Sequence, residues 1–144
     1  MRTLLQTDDL EFILTRLNSL SGSEVRLWGT MTESQMLLHC RKQIEMALGK
    51  ILTKPLYPRP MQWLSKITFG YYIPWPKNLI TAPEMVTKDE CEFQIELEKL
   101  QEILSEFIEI EQFHPHPIFG KLTKEDWGLI IYKHLDHHLR QFGA

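Results

Sequence analysis

The chain carries only two cysteines, Cys40 and Cys91, among 144 residues. That is too few for a small secreted scaffold stapled by disulfides, and both are expected as buried thiols of a cytoplasmic protein. Clustered Lys and Arg are missing too, and the net charge is −3 with a pI near 6.1. Phosphate backbones are gripped by grouped cations, so no nucleic acid is expected as a partner. No apolar run approaches the ~20 residues that span a bilayer, so no membrane is expected either. The opening MRTLLQTDDLEF puts acids where a signal peptide would keep its apolar stretch. A glycine-rich phosphate loop, a nucleophile elbow, an internal repeat and a low-complexity tract are all absent.

What remains is an ordinary globular balance, 43% apolar and 24% charged, in a length that suits a single domain over residues 1–144. Four amphipathic segments each have a start signal. The first runs from about Asp8 to Leu20, with Leu10, Ile13, Leu14 and Leu17 at helical spacing and Asp8 with Glu11 as an amino-terminal cap. The second opens on the capping box Thr32-Glu33-Ser34-Gln35 and runs to Leu48, with Gly49 as terminator. A third opens at Thr87-Lys88-Asp89-Glu90 and carries the stripe Phe93, Leu97, Leu100, Leu104 and Phe107. The fourth opens at Thr123, with Asp126 in the reciprocal position, and runs through Trp127, Ile130, Ile131, Leu135 and Phe142 to Gly143. The pattern predicts an all-α protein, a four-helix bundle.

Residues 53–86 break that pattern. Six of the eight prolines fall there, among Trp63, Phe69, Tyr71, Tyr72 and Trp75. Pro60 and the following MQWLSKITFG can hold one short helix; prolines prevent regular helix elsewhere. So aromatic a connection is expected to pack over the bundle as a crossover between the second and third helices, and to shape a pocket.

Five of the six histidines lie at or beyond position 114. At about 100° per residue from Trp127, His134 falls near −20° and His138 near +20°, on the face that Trp127 and Ile131 send inward. Gln141 falls near −40° and His137 near −80°, at the edge of that face. Two imidazoles one turn apart can reach one ion together, and burying both without a cation leaves nitrogens unpaired. A third ligand must come from elsewhere, and His39 supplies it, on a face of the second helix shared with Met36, Gln43 and Met46. Three histidines plus an open position is a known arrangement for catalytic zinc. Cys40 points about 100° away from His39 and does not join it. His114-Pro115-His116-Pro117 reads as a rigid turn before the fourth helix. The zincin motif needs Glu after its first His, and Leu135 stands there, which argues against a metalloprotease.

Trp28-Gly29-Thr30-Met31-Thr32, Gln35-Met36-Leu37-Leu38-His39, His116-Pro117-Ile118-Phe119-Gly120-Lys121-Leu122, Trp127-Gly128 and the ending from Tyr132 to Gly143 together resemble a bacterial family of unknown function. That family belongs to the DinB/YfiT-like superfamily of metalloenzymes, which is distinct from the DNA polymerase sharing the DinB name. The resemblance spans nearly the whole chain, and its carboxy-terminal part is the most specific. It implies a four-helix bundle in up-down-down-up order. It also implies a divalent metal, zinc or nickel foremost, held by one His of the second helix and an HxxxH pair of the fourth: His39, His134 and His138. Gln141 matches the glutamine that commonly follows that pair. Characterised relatives include transferases and isomerases in which the ion activates bacillithiol, mycothiol or glutathione, and relatives often form homodimers.

The expectation is therefore a metal-dependent enzyme that transfers a low-molecular-weight thiol to a small electrophile. Gln141 would orient a ligand or the substrate, and His137 is the candidate for moving a proton. Three alternatives stay open: hydrolysis by a metal-activated water on the same ligands, a non-enzymatic metal-binding or interaction module, and a bundle whose histidines bind nothing.

Overall fold

Helix starts are decided by which side chain takes the unpaired amides of the first turn. The computed structural model describes residues 1–77, 83–88 and 90–144. In it α2 (Glu33–Ala47) begins with a complete capping box: Thr32 Oγ1 accepts from Gln35 N at 3.2 Å, and Gln35 Oε1 accepts from Thr32 N at 3.0 Å. The last long helix, Lys124–Gln141, repeats the device with Thr123 and Asp126. Gly49, with φ of +75°, ends the run after α2 as the sequence suggests.

The other two starts differ from expectation. α1 spans Thr7–Ser19, and its N-cap, Gln6, makes no side-chain bond. Asp8 sits inside the first turn, where its charge suits the helix dipole, while Asp9 Oδ2 accepts from Thr3 N at 2.9 Å. The helix after the crossover spans Phe93–Glu109 and starts six residues beyond Thr87. Thr87 is buried, with its hydroxyl 3.4 Å from the Met85 carbonyl, so it belongs to the segment lying over the core and caps nothing. Asp89 of the expected box lies outside the described residues.

Between α2 and that helix, α3 (Arg59–Ser65) passes directly into a π-helical turn, Lys66–Tyr72. The expected short helix is thus present and longer than one motif. With α4 as Phe93–Glu109 and α5 as Lys124–Gln141, α2 packs against both α4 and α5, and α1 packs against α5. Gln101 Nε2 donates to Asn18 Oδ1 at 2.7 Å and joins α4 to α1. The facing stripes form one core. Ile13 and Leu17 meet Met36, Leu37 and Ile44, then Leu100, Leu104 and Phe107, then Trp127, Ile130, Ile131 and Leu135. Each such side chain contributes roughly 1.5–3 kcal/mol on burial. Cys40 lies in this core and Cys91 is half-buried, so the expectation of two buried thiols holds only for the first.

The crossover is fastened to α5 by charge. Lys66 Nζ lies 2.5 Å from Asp126 Oδ2, and the Tyr71 hydroxyl donates to the other oxygen. Lys133 Nζ donates to the carbonyls of Phe69, Gly70 and Ile73 at 2.8, 3.2 and 3.1 Å, closing the end of the π turn. Trp75 Nε1 donates to the same Phe69 carbonyl at 2.8 Å. These bonds hold Trp75 over the inner face of α5. Asp126 carries the most load, since one carboxylate serves the cap, Lys66 and Tyr71. Asp126→Ala is expected to lower stability by about 3 kcal/mol, because it opens the cap and strands a half-buried ammonium. In a thermal melt that corresponds to a drop of roughly 10 °C. A change under ~1 kcal/mol would mean that the crossover is not docked through this carboxylate.

Candidate metal centre

His39 leaves the middle of α2, and His134 and His138 leave successive turns of α5. The helices bring the three rings together. Their centroids are 4.8 Å apart for His39 and His134, 4.9 Å for His39 and His138, and 4.6 Å for His134 and His138. One nitrogen from each lies within 4.8 Å of the other two. Nitrogens bound at ~2.0–2.1 Å to a shared tetrahedral ion sit roughly 3.3 Å apart. His39 Nε2 and His134 Nε2, at 3.0 Å, are already close to that separation.

Two of the rings are oriented from behind. The Met85 carbonyl lies 3.1 Å from His39 Nδ1, and a carbonyl can only accept, so the proton is on Nδ1 and Nε2 keeps its lone pair. Gln141 Nε2 donates to the Trp28 carbonyl at 2.7 Å, which turns Gln141 Oε1 to His138 Nδ1 at 2.8 Å. His138 Nδ1 must therefore carry its proton, and Nε2 is the bare atom. Outer hydrogen bonds of this kind orient metal-ligating histidines. His134 has no such partner: its Nδ1 is buried and unsatisfied. In the ion-free protein one of its nitrogens therefore goes unpaired, a state that costs free energy.

The surroundings keep these rings neutral. Burial pushes His138 down to about 3, with the charge it would share with His39 adding to the effect. His134 is held well below the ordinary imidazole value by burial, then by His138 and His39. His39 is lowered by burial as well. Three neutral imidazoles with convergent lone pairs, one with an orphaned nitrogen, fit a divalent transition metal such as zinc, nickel, iron or copper. Beside them opens a cavity of about 330 Å³, with Trp28, Trp75, Lys77, Thr87, Gln43 and His116 in its walls.

The remaining candidates separate. His137 is half-buried at the cavity edge, its ring 5.7 Å from Trp28 and 6.4 Å from Trp75. Burial lowers its pKa. Gln141 is occupied at both ends of its amide and holds His138 in place. Cys40 Sγ turns away to Met36 Sδ at 3.8 Å.

A family model described as "Protein of unknown function (DUF1569)" matches residues 1–144. The chain belongs to the DUF1569 family. No curated protein and no solved structure matches it. Among the described residues of this DUF1569 protein, no helix is long and apolar enough to cross a membrane.

Sequence reasoning missed the backbone groups that orient the rings, because a carbonyl carries no residue identity. One trace was legible. Gly29 has φ of +78°, and a Cβ there would lie 2.4 Å from Gln141 Nε2. The loop that presents the Trp28 carbonyl is thus held against α5, where Leu27 N donates to Gln141 O at 2.7 Å. Gly29→Ala is expected to dislodge the Gln141 amide and lower metal affinity roughly 10–100-fold, as loss of an outer partner does. Competition against a chromophoric chelator measures this. Unchanged affinity would separate Gln141 from the ion.

Proposed function

We propose that this protein is a divalent-metal-dependent enzyme that transfers a low-molecular-weight thiol to a small electrophile. The observation that carries the reading is the convergence of three buried, neutral imidazoles beside a cavity large enough for a small molecule. His39, His134 and His138 would hold the ion with a position left for a thiol sulfur, and the chemistry it would supply there is to favour the thiolate, the nucleophile, near neutral pH. The chain's own residues do the rest. Met85 and Gln141 hold two rings with their bare nitrogens inward. Trp75, 5.6 Å from His134, covers the site and limits water. His137, at the edge, is the group placed to accept or return a proton. The resemblance to the DinB/YfiT-like superfamily supports the same reading, and the long connection from α2 to α4 would accommodate the up-down-down-up helix order which that resemblance implies. A cytoplasmic setting suits it, since small thiols are kept reduced there.

The test is thiol consumption. Metal-loaded protein is incubated with bacillithiol, mycothiol or glutathione and a generic alkylating electrophile, before and after chelation. Loss of thiol that needs the ion, and disappears in His138→Ala, is the expected result. Metal-loaded protein that consumes no thiol across several electrophiles overturns the transfer reaction and favours a metal-binding module.

A further inference from the structure

His116 lies outside the triad, yet it is buried and lines the same cavity. Its Nδ1 accepts from two backbone amides, Ile118 N at 3.1 Å and Phe119 N at 3.3 Å. A nitrogen that accepts two N–H groups carries no proton, so the ring is neutral and its single proton sits on Nε2. A half-turn of the ring would set Cδ2, which cannot accept, against both amides, so the assignment holds. The ring stacks on Phe119 at 4.5 Å, inside a tight loop closed by two bonds of 2.8 Å between His116 and Gly120.

Gln43 Nε2 is the atom 3.1 Å from His116 Nε2. Two donors cannot share one hydrogen bond, and the two ends of a carboxamide interchange by a half-turn. With the ring proton fixed on Nε2, the amide presents its oxygen to His116. The other end is then the amino group, and the cavity is the space Gln43 lines. Gln43 stands one helical turn beyond His39, so both project from the same face of α2. The rest of the wall agrees with a donor there. Lys77 and Lys88 line the cavity, and no Asp or Glu does among the described residues.

We infer that Gln43 is a substrate-binding residue, its amino group turned into the cavity by His116 to receive an acceptor oxygen of the substrate. His116 is a positioning residue for it. The inference rests on the metal–thiol reading above and specifies what that substrate carries besides sulfur: an oxygen acceptor within reach of α2.

Cobalt(II)-loaded protein provides the test, because a bound thiolate adds an absorption band of its own. The probes are 3-mercaptopropionate and 1-propanethiol, which share a chain length and differ in the oxygen acceptor. Wild-type protein is expected to bind the first at least ~10-fold more tightly, and Gln43→Leu to lose most of that preference while binding propanethiol within about twofold of wild type. In His116→Asn the amide oxygen can still take the backbone N–H groups, but the Nε2 donor is gone. That variant should lose the same preference with its melting temperature near wild type; a role confined to the loop would lower the melting temperature and leave the preference. Nitrogen-15 shifts of His116 read the tautomer directly, with or without an ion. A proton on Nδ1, or an unchanged preference in Gln43→Leu, overturns the inference. Absence of a thiolate band with either thiol fails the metal–thiol reading itself, and the role of Gln43 falls with it.

Discussion

Replacing His134 with alanine is expected to strip the ion from the protein while the helices stay folded. Elemental analysis of tag-free protein should fall from one transition-metal ion per chain toward none, and affinity should drop by more than the roughly 10–100-fold that loss of an outer partner costs. The other two ligands cannot compensate, because His39 and His138 are pinned from behind by Met85 and Gln141. Fold retention follows from the same geometry. His134 makes no hydrogen bond at Nδ1, so alanine there removes an unsatisfied polar atom along with some packing against Trp75. The orphaned Nδ1 goes, but His39 Nε2 loses its 3.0 Å partner in exchange, so the new cavity sets the net cost at roughly 2–3 kcal/mol, still inside the stability of a domain. Circular dichroism and a thermal melt check that half. Wild-type metal content in the variant would remove His134 from the site and break the argument from convergence.

How much of this was legible follows from where each determinant lies. The boxes at Thr32 and Thr123 could be read because both partners of each sit within four residues. The start of α4 could not, since Thr87 is drawn to the Met85 carbonyl by a segment whose docking is tertiary. The Asp8 cap failed because the helix begins one residue earlier, at Thr7, which places Asp8 inside the first turn and not ahead of it. His134 and His138 share a face through the helix period alone, and His39 was the inward histidine available on another helix. The HPHP segment was read as a rigid turn. His116 does close a turn, through two backbone amides, and the same ring also enters the cavity. Nothing in that short motif distinguishes its two histidines, yet His114 is exposed and His116 is buried.

Ion-free protein is expected to lose stability steeply as pH falls from 7 toward 5, where most carboxylates are still ionised. Four buried histidines carry this effect. His39 and His134 are lowered from the ordinary value of 6.5, and His116 and His138 are pushed down to about 3, with burial the leading cause for all four. A depressed folded pKa contributes stability that is complete above 6.5 and disappears as pH falls toward the folded value, since the unfolded chain takes up protons that the folded one refuses. Each group contributes a slope of about 1.4 kcal/mol per pH unit in that interval. Glu33 opposes them. Its carboxyl is pushed up to about 7 by burial and then by Glu24, so below pH 7 the folded chain keeps a proton there that the unfolded chain, titrating near 4.5, has released. These rings, with His137 lowered in the same sense, outnumber Glu33, so unfolding takes up protons on balance, at about 1.4 kcal/mol per pH unit for each proton in excess. A domain of about 5–15 kcal/mol cannot sustain that slope for long, so urea midpoints should collapse between about pH 6 and 4.5. Glu33→Gln removes the opposing proton and should steepen the profile. A stability that stays flat from pH 7 to pH 5 would mean that water reaches these imidazoles, and a dry, neutral ligand cluster could not then be assumed.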